Sequence, residues 1–154
     1  MKQLNSYLDE QGGHLNHNVM LKMIYCLSTQ LDFLINQCKK SFLFYDVTNI
    51  IVIDDNKFVY VSNDMVQLNN DQILITKPFT KLNKLLSPEV SNINTIPSKI
   101  HYTSIYYSLG LLIMFCLTGV RTCDIELSIS GSKLHGFIRR CLDADPTKRC
   151  MLFV

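Results

Sequence analysis

From Asn18 onward, apolar residues fall at Met20, Met23, Ile24, Leu27, Leu31, Leu34 and Ile35. Steps of three and four place them on one face of a helix, which predicts an amphipathic α-helix running to about Cys38 and packed on a core. Leu4, Tyr7 and Leu8 keep the same spacing over a shorter reach. They predict a brief helix that stops at Gly12-Gly13, where glycine supplies the positive φ of a helix end. The period then changes. Residues 41–53, SFLFYDVTNIIVI, are rich in β-branched and aromatic side chains, Asp54-Asp55-Asn56 supplies turn chemistry, and KFVYVS follows. The three together predict a small β-hairpin.

Gln67 to Asn94 is polar, broken by Pro78 and Pro88, and holds one short apolar run, Ile73-Leu74-Ile75. It predicts a long ordered loop, of a kind that is usually functional in a compact domain. Ile105 to Val120 carries no charge, but it is shorter than the roughly 20 apolar residues of a membrane span and includes Ser108, Gly110, Thr118 and Gly119. A buried core helix is expected there, with a membrane anchor as the rival reading. A last helix over about Lys133 to Leu142 ends before Asp145-Pro146, because proline disfavours helical geometry in its predecessor. The fold class expected is mainly α with a small β-hairpin, in a single domain over residues 1–154.

Composition narrows the function classes. With 47% hydrophobic and 18% charged residues the chain has the means to bury a core, so whole-chain disorder is excluded. A net charge of +2 without a marked cluster gives no reason to expect a nucleic-acid or membrane partner. Cys26, Cys38, Cys116, Cys123, Cys141 and Cys150 are scattered, and Met1 to Glu10 lacks the apolar run of a secretory signal. Reduced thiols in a cytoplasmic protein are therefore expected. His14 and His17 stand near no Cys-x-x-Cys pair, and His101 and His135 sit in no hydrolase motif, so neither a metal centre nor hydrolase chemistry is expected.

Several strings together carry a family likeness. Ser87-Pro88-Glu89, then Tyr107-Ser108-Leu109-Gly110 ending in Leu117-Thr118-Gly119, then Cys141-Leu142-Asp143-Ala144-Asp145-Pro146-Thr147-Lys148-Arg149 occur in that order, with Asn49-Ile50-Ile51-Val52 ahead of them. The set resembles the C-terminal lobe of a protein kinase: the Ala-Pro-Glu close of the activation segment, the D-x-W-S-L-G helix, the final C-L-x-x-D-P-x-x-R run, and the catalytic-loop Asn with its strand. The resemblance implies a kinase-like C-lobe alone, since nothing corresponds to the N-lobe and no G-x-G-x-x-G occurs. It also implies an ion pair between Glu89 and Arg149, for which a planar guanidinium is suited. The opening helices are similar to those of the kinase non-catalytic C-lobe domain, KIND, which binds segments of partner proteins.

Phosphoryl transfer needs a base for the substrate hydroxyl and carboxylates for magnesium. The family's step of five residues back from Asn49 puts Phe44 where the catalytic Asp belongs, while Asp46 lies three residues before Asn49. Ser62-Asn63-Asp64 falls at the Asp-Phe-Gly position, so Ser62 replaces the magnesium ligand. Ile105 replaces the buried Asp that holds the catalytic-loop backbone in a working kinase. The expectation is a catalytically inactive pseudokinase fragment without cofactor: a protein-interaction module that imitates a kinase C-lobe and regulates or inhibits an intact kinase. The rival is a half-kinase that gains ATP binding and phosphotransfer through Asp46 and Asn49 when another chain supplies an N-lobe. The expected partner is a protein, a kinase or a kinase substrate, with self-association through the uncovered face as a further form. Phe42, Phe44, Tyr45, Val59 and Tyr60 are the candidates for that face, and Lys77, Lys81 and Lys84 for a basic docking segment.

Overall fold

The computed structural model describes residues 1–82, 84–119 and 132–151. Strand β1 (Lys2–Gln3) leads directly into α1 (Leu4–Glu10), which ends where Gly12 and Gly13 turn at φ 84° and 92°. Helix α2 (His17–Phe33) starts at Asn16, whose side chain accepts from Val19 N–H at 3.0 Å, and it buries Met20, Met23, Ile24, Leu27 and Leu31. It widens into a π-helical turn over Leu34–Cys38 and stops at Lys39, which is left-handed at φ 53°.

The expectation of a mainly α chain with one hairpin is corrected by two antiparallel sheets. The first has the order β1-β3-β4, with β3 at Ile50–Ile53 and β4 at Lys57–Tyr60. Asp54 and Asp55, at φ 52° and 54°, make the mirror-image turn that matches strand twist. The second sheet has the order β2-β5-β6-β7: Lys40–Phe42, Met65–Asn69, Gln72–Ile75 and Ser98–His101. It occupies much of the stretch read as a loop, together with the short helix α3 (Pro88–Ser91). The physical reason is alternation with amides outside: Val66, Leu68, Ile73, Ile75 and Ile100 face inward, while Gln67, Asn69 and Gln72 face water.

Helix α4 (Ser104–Thr118) runs through the main core, and α5 (Lys133–Cys141) packs on it. Nine of its residues are buried, including Ile105, Leu109, Leu112 and Ile113, which accounts for its lack of an amphipathic face. Among the described residues no helix is long and apolar enough to cross a membrane. Cys26, Cys38, Cys116, Cys141 and Cys150 are free thiols. Val120, Arg121 and Cys123 lie outside the described residues. A smaller core of Leu43, Ile73, Ile75, Val90 and Ile100 sits between the four-stranded sheet and α3.

Candidate functional site

Residues 43–49 link β2 to β3 and place the polar groups of the site. Asp46 precedes a 3₁₀ turn at Val47–Asn49, and its Oδ1 accepts from Thr48 N–H at 3.0 Å and from the Thr48 hydroxyl at 2.7 Å. Its other oxygen, Oδ2, accepts a hydrogen bond from Lys84 Nζ in an ion pair. Asp46 is 6% exposed. Burial alone would push its carboxyl up, but the hydrogen bonds from Lys84 and Thr48 outweigh this and hold it below the ordinary aspartate value. Both oxygens of this carboxylate are engaged in hydrogen bonds within the fold. Tyr60 completes the turn, its hydroxyl donating to Phe44 O and accepting from Asp46 N–H, each at 3.2 Å.

The same segment is anchored to α4 by a residue that the sequence reading passed over. Ser108 Oγ accepts from Tyr45 N–H at 2.7 Å and donates to Leu85 O at 2.5 Å, and Leu85 N–H returns to Tyr45 O at 3.2 Å. Ile105, one turn earlier, is apolar and fully buried. A neutral hydroxyl thus fixes the loop backbone without burying a carboxylate. The Ser108-Leu-Gly string held this signal, since a serine inside an otherwise apolar helix must find partners when buried.

Glu89 and Arg149 meet at 2.6 Å, between Oε1 and Nη2. Ser87 caps α3 through Val90 N–H at 3.3 Å and sets Glu89 in the first turn. The Arg149 side chain is wholly buried: Nε donates to Asp143 O at 2.7 Å, Nη1 to Thr103 O at 3.4 Å, and the guanidinium lies 4.9 Å from the Tyr107 ring centre. Burial would raise the Glu89 carboxyl, but Arg149 and the Ser87 hydroxyl outweigh it and lower it. The clasp ties the segment between β6 and β7 to the start of α4 and to the C-terminal part of the described residues.

The remaining candidates divide. Phe42, Tyr45 and Tyr60 are corrected as docking residues, since they are 3%, 0% and 3% exposed. Their rings pack edge to face at 4.6 Å for Phe42 with Tyr60 and 4.8 Å for Tyr45 with Tyr60, an internal cluster that burial favours. Val59 stays exposed on the outer side of β4, and Phe44 is half-buried against Phe79 at 5.9 Å. The basic segment is corrected too: Lys84 serves Asp46, and Lys81 donates to Ser91 O at 2.8 Å and Ile93 O at 2.5 Å. Lys77 stands apart, on the wall of a cleft of about 550 Å³ that also takes in Phe44, Asn49, Ser62, Asp64 and Phe79. Ser62 is in a local turn, accepting from Asp64 N–H at 3.1 Å. Among the described residues no three His, Cys, Asp or Glu side chains gather as metal ligands. No family model matches the chain, and no curated protein matches its sequence.

Proposed function

We propose that this chain is a non-catalytic protein-interaction module on a kinase C-lobe-like frame, acting as a regulator of an intact kinase. The carrying observation is the state of Asp46, the carboxylate closest in sequence to the position a catalytic base would hold. One oxygen caps a 3₁₀ turn and the other is neutralised by Lys84, in a buried setting. By the resemblance, Phe44, which has no proton acceptor, and Ser62, a neutral hydroxyl in place of a carboxylate, take the positions of the family's base and metal ligand.

Thermal unfolding with millimolar ATP, with and without magnesium, tests the reading. A ligand at 100 times its Kd stabilises the folded state by about 2.7 kcal/mol, which is easily seen in Tm. No shift is expected in either condition. A magnesium-dependent rise would overturn the proposal and return Asp46 and Asp64 to consideration as ligands.

A further inference from the structure

The four strands of the second sheet contain no Asp or Glu, and they contain two lysines, Lys40 and Lys99. The pairs Lys40 with Gln67, Phe42 with Met65, and Leu74 with Lys99 place these side chains on the face opposite the small core. On that face Met65 is 45% and Leu74 is 47% exposed. Met65, Gln67 and Leu74 also line the 550 Å³ cleft, so the open part of the sheet face adjoins a hollow whose lining includes the Phe44 and Phe79 rings and Lys77, while Phe42 on the same face is buried in the main core. Lys40 and Lys99 lie on the two outer strands, roughly 14 Å apart across three strand spacings. Lys40, Lys77 and Lys99 are all exposed, and among the described residues none of them is in an ion pair. Among the described residues, the one acid on the cleft wall is Asp64.

We infer that this surface docks an acidic segment of a partner protein, with an apolar or aromatic anchor seated in the cleft and carboxylates facing Lys40, Lys77 and Lys99. The charge complement comes from three unpaired cations over a nearly acid-free sheet, and the anchor from Met65, Leu74, Phe44 and Phe79. A nucleic acid is the less suitable polyanion, because the strands of this sheet offer no arginine for phosphate or base contacts. The inference rests on the reading of the chain as an interaction module and names the chemistry of its partner.

Fluorescence anisotropy with the labelled peptide DEDLFEDD tests it, using the full chain. The peptide should bind, and binding should weaken at least tenfold when its acids become Asn and Gln, or when its Leu-Phe pair becomes Ala-Ala. The triple variant Lys40→Glu, Lys77→Glu, Lys99→Glu should lose at least tenfold. A control triple of exposed lysines elsewhere, Lys22→Glu, Lys57→Glu, Lys133→Glu, makes the same change in net charge and should lose less than threefold. Absence of binding, equal loss in both triples, or equal affinity for the oligonucleotide dT10 would overturn the docking site. Those results leave the nucleotide titration unaffected, so failure of the site and failure of the non-catalytic reading are separable.

Discussion

Lys84 and Asp46 depend on each other unequally. Lys84 keeps 24% of its side chain in water, whereas Asp46 keeps 8%, so removing the lysine strands a carboxylate that cannot easily rehydrate. Lys84→Met should cost about 1–3 kcal/mol in urea unfolding, and adding Asp46→Asn to it should recover part of that loss, a coupling that a double-mutant cycle reads directly. Arg149 is the more severe case, because its side chain is wholly buried and serves Glu89, Asp143 and Thr103 together. Arg149→Ala should cost about 3–5 kcal/mol in the same measurement, and Glu89→Gln, which keeps an acceptor for the guanidinium, should cost less. The Glu89 contact could be stated from sequence because both partners stood in motifs. The Lys84 contact could not, since nothing in Thr80-Lys81-Leu82 or its neighbours says which lysine turns inward.

At the scale of elements, helices were legible and the second sheet was not. The 3.6-residue period over Met20 to Ile35 is a local signal, and the structure buries Met20, Met23, Ile24, Leu27 and Leu31 on that face. Strands β5 and β6 alternate over only four or five residues, with asparagine and glutamine on the wet side, so their local pattern is indistinguishable from a polar loop until the sheet neighbours are known. The contact between α4 and α5 has its own requirement. A Cβ on Gly110 would stand 2.8 Å from Leu142 Cδ2 and 3.1 Å from Cys141 Cβ. Alanine would gain about 1 kcal/mol of helix propensity and lose more to overpacking, so Gly110→Ala should lower stability by about 1–2 kcal/mol. Combining it with Leu142→Ala should relieve most of the clash, which thermal unfolding of the pair would reveal.

For the whole molecule, pH acts on stability through the two lowered carboxylates that have a cation partner in an ion pair, Asp46 and Glu89. Asp46 and Glu89 ionise more readily folded than unfolded, so each contributes stability that is fully present above the unfolded values, about 3.9 and 4.3, and is lost as pH falls through the lower folded ones. Urea midpoints measured from pH 6 to pH 2.5 should be level at first and then drop below about pH 4. Removing either partner cation should flatten the drop. The arginine clasp has a further consequence, in time. Arg149 follows Glu89 by 60 residues and Thr103 by 46. Elongation at about 5–20 residues per second separates the appearance of Glu89 from that of Arg149 by roughly 3–12 s. During that interval Glu89 has no guanidinium partner, and the segment between β6 and β7 has no buckle. A contact that becomes available only late to the nascent chain is therefore the one that fastens three of its earlier parts.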